Sequence, residues 1–116
     1  MAIRALTGIV PEWFTPASQE GDPSPARFKI QPMNGEQFND VLPSVKFGTD
    51  GATIDGQGVK QILAYGLIDW EGVEGSESRP LQCTVGNHKF LPGFLRIEIA
   101  SHIFSRSVLM EDDKKN

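Results

Sequence analysis

The stretch RFKIQPMNGEQFNDVL, residues 27–42, decides the fold class because the spacing of its apolar residues changes partway through. The first part, RFKIQP (27–32), alternates Phe28 and Ile30 with polar side chains. Such alternation is typical of a strand with one buried face, and the proline at its end stops the strand. We therefore predict that residues 27–32 belong to a sheet.

The second part of the stretch predicts a short amphipathic helix over 34–42. Asn34 is a favourable N-cap residue, and Gln37 follows it at the spacing of a capping box. The apolar residues that come next share one helical face: Phe38, Val41 and Leu42. A strand followed at once by a helix indicates a protein of the α+β class.

The segments on the N-terminal side predict one more strand and a long loop. Apolar residues recur at near-alternate positions in AIRALTGIV (2–10), which suits a short strand that ends near Pro11. The next segment, 11–26, contains four prolines, which remove backbone donors and restrain the residues before them. We expect a Pro-rich loop there, anchored by Trp13 and Phe14.

The segments on the C-terminal side predict a hairpin or loop and two further helices. VKFGTDGATIDG (45–56) is rich in glycine, and its Asp-Gly dipeptide favours a tight turn between two short strands. Asp55 can cap a helix over 56–66, whose apolar residues lie on one face. A third helix is predicted over 92–106, where a proline occupies the first turn.

Together these patterns predict one α+β domain over residues 1–116, in which a small antiparallel sheet is packed with about three helices. A chain of 116 residues is long enough to bury a single core without metal ions or disulfides. The end of the chain, 110–116, is polar, and we expect it to fray.

The composition argues against several classes of function. The chain has 11 basic and 15 acidic residues and no basic cluster larger than Lys114-Lys115, so a nucleic-acid surface is not indicated. No apolar run approaches the roughly 20 residues that span a bilayer, and the N-terminus lacks a signal-peptide pattern. Cys83 is the single cysteine, which fits a reducing compartment. We expect a cytoplasmic protein with protein partners and no membrane contact.

The sequence offers no recognisable catalytic set, and we expect a protein without enzymatic activity. His88 and His102 lack acidic partners at metal-binding spacing, and Cys83 lacks a neighbour that would lower its pKa. An enzyme would be favoured only if these three side chains converged in space. The glycine-rich segment 48–58 matches neither a phosphate-binding loop nor a calcium loop, so no cofactor is predicted.

Large apolar side chains are the remaining candidates for function. Trp70 follows the second helix, where its ring could pack over the sheet with its N–H on a carbonyl, or stand exposed as an anchor for a partner. The third helix is apolar around more of its circumference than one core face requires. We expect one of two sets on it to bind a partner or a second copy: Phe94, Ile97 and Phe104, or Leu95, Ile99 and Ile103.

The order of several motifs resembles that of tail assembly chaperones of long-tailed bacteriophages. The motifs are MAIRALTG (1–8), RFKIQPMNGEQFNDVL (27–42), GLIDWEGVEG (66–75), PLQC (80–83), LPGFLRIEIASHIFSRS (91–107) and LMEDDKKN (109–116). In that family a strand of the form FKxxPLxG, a GLVGWxN-like helix exit and an ELAxEIxxxSxLxEDxKKN-like end occur in this order. Ile68-Asp69 and Met110-Glu111 depart from the family pattern.

The resemblance implies a small folded protein that is not an enzyme. Such chaperones coat the tape-measure protein during assembly, help to recruit tail-tube subunits in the host cytoplasm, and are absent from the finished particle. Family members are commonly made in two forms, so a ribosomal frameshift within the codons for the terminal Lys114-Lys115-Asn116 is a further expectation. A small phage-encoded adaptor or inhibitor that binds a host protein is the alternative.

Overall fold

The structure is a computed structural model that describes residues 10–113, and it has the α+β architecture predicted from the sequence. Within this range the strands and α-helices are β1 (Glu12–Phe14), β2 (Arg27–Ile30), α1 (Gly35–Val41), β3 (Val45–Gly48), β4 (Gly51–Ile54), α2 (Gly56–Gly66), β5 (Leu67–Glu71) and α3 (Gly93–Asp113). No helix in this range has the length and apolar character needed to cross a membrane.

Strands β1, β2 and β5 form an antiparallel sheet with β2 in the middle. Phe28 of β2 lies opposite Phe14 of β1 and Trp70 of β5, and its side chain is fully buried. The rings of Phe28 and Trp70 meet edge-on, with 6.3 Å between their centroids. The strand predicted over 27–32 is therefore confirmed for Arg27–Ile30.

The prediction of a loop over 11–26 is wrong near its start, where the structure has strand β1. Its three residues, Glu12–Phe14, pair with β2 even though prolines lie close on both sides. Among the described strands β1 lies at an edge of the sheet, where missing backbone donors are tolerated because only one side of the strand is paired. The strand predicted over 2–10 lies outside the described residues except for Val10, which is not in a strand.

Strand β5 follows α2 directly, where the sequence predicts only the end of a helix. Leu67 pairs with Ile30, whereas Asp69 pairs with the preceding residue of β2, so Ile68 is the extra residue of a bulge. The bulge breaks the usual alternation of inward and outward side chains. As a result Leu67 and Trp70, three positions apart, are both buried.

Helices α1 and α2 begin where the sequence predicts. The Asn34 side chain accepts a hydrogen bond from the backbone N–H of Gln37, and the Gln37 side chain accepts one from the backbone N–H of Asn34. This completes the capping box and satisfies two helix-terminal donors. At the start of α2, the Asp55 side chain accepts a hydrogen bond of 2.9 Å from the backbone N–H of Gly58.

Gly66 ends α2 at a point where the backbone of one element nearly touches two others. A Cβ atom at Gly66 would lie 2.6 Å from Cγ2 of Ile103 in α3 and 2.9 Å from the carbonyl oxygen of Gln31. Both distances are shorter than van der Waals contact. The glycine therefore allows α2 to pack closely between α3 and the end of β2.

Helix α3 is longer than predicted, because it runs to Asp113 rather than ending at 106. Residues 110–113 of the predicted polar tail belong to this helix, and 114–116 lie outside the described residues. α3 packs along α2. The region 45–56 forms the predicted hairpin, in which β3 and β4 pair and Gly51 adopts a left-handed φ of 110° in the turn.

Candidate binding surface

The outward face of α3 carries large apolar side chains. The inward face of the helix buries Leu95, Ile99 and Ile103 in the core. This set, one of the two predicted to bind a partner, therefore builds the core instead of an exposed surface. On the outward face, Phe94 and Ile97 of the other set are 60% and 57% exposed.

The outward face of α3 has the residue spacing of a coiled-coil seam. Its positions follow one another at intervals of three and four residues: Phe94, Ile97, Ser101, Phe104 and Val108. A seam of this spacing keeps one face of a helix against a neighbouring helix over several turns. We call these five residues the α3 seam. Phe94, Ile97, Ser101 and Val108 are exposed.

Phe104 is the buried member of the seam, so its ring is not free for a partner in this conformation. It stacks on Phe38 of α1 with 5.3 Å between ring centroids, and its ring is 6% exposed. Phe47 of β3 lies against it at 6.5 Å and is itself 69% exposed. Phe47 is not among the residues predicted from the sequence to bind a partner, although alternation along β3 places it on the same face as the buried Val45.

Trp70 is a core residue and not an exposed anchor. Its side chain is 6% exposed, and its indole N–H donates a hydrogen bond of 2.6 Å to the carbonyl oxygen of Leu81. The contact of the N–H with a carbonyl agrees with the first of the two alternatives for this tryptophan. Of the four residues predicted to bind a partner, Phe94 and Ile97 are the exposed ones, whereas Trp70 and Phe104 are buried.

Cys83 and His88 lie close together, as the members of a reactive thiol–imidazole pair would. The Sγ atom of Cys83 is 4.0 Å from Nε2 of His88. Burial raises the pKa of Cys83 to about 11, and the carboxylate of Asp69 acts in the same direction. Burial lowers the pKa of His88, with a further contribution from Arg96. The thiol is therefore protonated at neutral pH, whereas thiol catalysis requires a thiolate.

His102 packs against a different element. Its ring stacks on that of Phe14 in β1, with 4.2 Å between the centroids. Burial lowers the pKa of His102, Glu12 opposes this shift, and Arg106 adds to it. Within residues 10–113, no cluster of three or more His, Cys, Asp or Glu side chains is placed to hold a metal ion.

Comparisons with known proteins give no family for this chain. No protein-family model matches it, and no curated protein or solved structure matches it either. The resemblance to tail assembly chaperones therefore stays a prediction from the sequence motifs. The function of the α3 seam must be argued from its own residues, whose geometry suits the docking of a helix.

Proposed function

We propose that this chain is a tail assembly chaperone of a long-tailed bacteriophage, which binds the tape-measure protein and assists the recruitment of tail-tube subunits without catalysis. The observation that carries the proposal is the exposure of Phe94 and Ile97 on successive turns of a helix whose outward face has coiled-coil spacing. The motif order along the chain, from RFKIQP (27–32) to LMEDDKKN (109–116), supports the same family.

The chemistry of the seam suits a long helical partner such as a tape-measure protein. Apolar side chains at intervals of three and four residues match the apolar seam of another helix. Ser101 in the middle of the seam is small, so a large side chain of a partner helix can pack there between the flanking seam residues. A long helix with repeated apolar positions offers many equivalent places for such a chaperone to bind.

The exposed apolar surface of the α3 seam is small, which suits reversible binding. Full burial of a Phe or Ile side chain is worth about 1.5–3 kcal/mol. Phe94 and Ile97 are already partly covered, so covering the rest contributes about 1–2 kcal/mol each. A chaperone that coats the tape-measure protein in the host cytoplasm and leaves before the particle is complete needs weak contacts of this kind.

Co-expression with the tape-measure protein encoded in the same genome tests the proposal. Affinity purification of the chain should recover a complex, and the double variant Phe94→Ser/Ile97→Ser should lose it. Ile68→Ser is the matched control, because Ile68 is also exposed, at 39%, but lies on β5. Circular dichroism of both variants reports whether the fold is intact.

The two outcomes of this experiment separate the proposal from its alternative. If the seam variant still binds the tape-measure protein, α3 is not the contact surface. If the chain recovers a specific host protein and no tape-measure protein, the adaptor alternative replaces the chaperone. Deletion of the gene should then leave the assembled tails with unchanged length.

A further inference from the structure

A groove with positively charged walls lies on the side of α3 that faces α2. One wall is a stripe of α2 that includes Lys60 and Ala64, and the other is the 3-10 helix Val85–Phe90. Arg96 of α3 and Lys89 also line the groove, which has a volume of about 620 Å³. This volume lies within the range of ligand sites in proteins.

The charge of the groove has the opposite sign to that of the whole chain. Three long cationic side chains line it, Lys60, Lys89 and Arg96, and none of its described lining residues is acidic. The chain as a whole has a formal charge of −4. In the described part of the chain the ion pairs are formed by other residues: Arg27 with Glu71, Arg79 with Glu77, and Arg106 with Glu12.

Two of the three cationic side chains, Arg96 and Lys89, make contacts within the protein. Nη1 of Arg96 donates a hydrogen bond of 3.1 Å to the carbonyl oxygen of His88, and the guanidinium retains further N–H donors for a ligand. Nζ of Lys89 lies 5.2 Å from the centroid of the exposed Phe90 ring. Burial, and then Arg96, lower the pKa of His88, which disfavours the charged form of this imidazole.

The groove also has apolar surface between its charges. Ala64 lies on the α2 wall, and Val85 on the other wall is 64% exposed. From Gln57 to Ala64 the groove follows α2 over eight residues, whose ends lie about 10 Å apart along the helix axis. An extended peptide of about three residues covers that length. Its carboxylates could reach the cations while an apolar side chain contacts Val85.

We propose that this groove binds a short acidic segment of a protein partner, with carboxylates paired to Lys60, Lys89 and Arg96 and an apolar side chain against Ala64 and Val85. This contact differs in place and chemistry from the α3 seam. It therefore goes beyond the proposed function, and the isolated chain is sufficient to test it.

The test is a titration of the isotopically labelled chain with a blocked peptide of glutamates flanking a single leucine, followed by amide chemical shifts. Shifts should concentrate at residues 57–64 and 85–96. Lys60→Glu should weaken binding by about fivefold or more, because an attractive charge becomes repulsive. Lys46→Glu on β3 is the matched control, with the same charge change at another exposed lysine, and its affinity should change by less than about twofold.

Three results would overturn the proposal. Equal loss of binding in Lys60→Glu and Lys46→Glu would mean that net charge alone attracts the peptide. If a peptide with lysines in place of the glutamates binds with the same affinity, the cationic side chains of the groove do not contribute to binding. Inorganic phosphate that displaces the peptide at equal concentration would assign the groove to a small anion. Each result leaves binding of the tape-measure protein by the α3 seam untouched, so the two proposals can fail separately.

Discussion

The indole nitrogen of Trp70 and the carbonyl oxygen of Leu81 are 2.6 Å apart, and this hydrogen bond joins β5 to the chain beyond the 73–80 loop. The donor side is shielded from water, since Trp70 is 6% exposed, whereas Leu81 is half-buried. The ring of Trp70 also packs edge-on against Phe28, the central buried residue of the sheet. Trp70 therefore holds the loop to the core through both a polar and an apolar contact.

Substitutions at Trp70 should separate these two contributions. Trp70→Phe leaves the Leu81 carbonyl without its donor and should lower the free energy of unfolding by about 1–3 kcal/mol. Trp70→Ala also opens a cavity and should lower it by about 3–5 kcal/mol. Urea denaturation measures both values, and Trp13→Phe at a half-exposed ring is the control. A Trp70→Ala variant as stable as the parent chain would show that the ring is not in the core.

Two isoleucines of α3 provide a matched test of which face of the helix is buried. Ile99 is fully buried and Ile97 is 57% exposed. Ile99→Ala should lower the free energy of unfolding by about 2–5 kcal/mol, whereas Ile97→Ala should change it by less than about 1 kcal/mol. Denaturant titration of the two variants under the same conditions gives the comparison. Equal losses of stability would mean that both side chains are buried, which would contradict the exposed α3 seam.

Replacement of glycine by alanine should have opposite effects on stability at two positions of α2. At Gly66 a Cβ atom would collide with Ile103 and with the backbone of Gln31, so Gly66→Ala should lower stability by about 1–3 kcal/mol. At Gly56 no atom lies within 4 Å of the added Cβ. Gly56→Ala should leave stability unchanged or raise it by up to about 1 kcal/mol. Thermal unfolding of the pair measures the difference, and a neutral Gly66→Ala would argue against close packing there.

Because the pKa of the Cys83 thiol is raised, we expect this residue to be alkylated slowly. With its pKa raised to about 11, the folded protein carries little thiolate at about pH 8, so iodoacetamide should react roughly two orders of magnitude more slowly than with glutathione. The rate should rise by about tenfold per pH unit up to the pKa, because the thiolate is the reactive form. Mass spectrometry follows the labelling. Labelling as fast as that of glutathione would show that the fold does not raise the pKa of Cys83.

The elements that could be predicted from the sequence are those with local signals. The capping box of Asn34 and Gln37, the Asp55 cap and the Asp-Gly turn each act within a few residues, and each is present in the structure. Strand β5 lacked such a signal, because the bulge at Ile68 disrupts alternation and depends on the partner strand. Strand β1 likewise forms through pairing with β2 rather than through its own proline-flanked sequence.

The binding surface was only partly predictable for a similar reason. The apolar residues of α3 could be recognised from the sequence, but the choice of inward face depends on where the helices and the hairpin pack. Phe104 is buried because Phe38 and Phe47 cover it, and these residues come from two other elements. The cationic groove combines Lys60, Lys89 and Arg96 from separate elements, and no local pattern joins them.

Ser101 makes the α3 seam sensitive to the position of any helix that lies on it. Its side chain is smaller than those of Ile97 and Phe104, the seam residues before and after it, so a large side chain of a neighbouring helix would fit best beside Ser101. Sliding that helix by one turn toward the N-terminus of α3 would move the large side chain onto the bulky, exposed Ile97. α3 is 21 residues long, or about 30 Å. The spacing of large residues along a bound helix would therefore determine how many copies of this chain bind to that helix, and at what intervals.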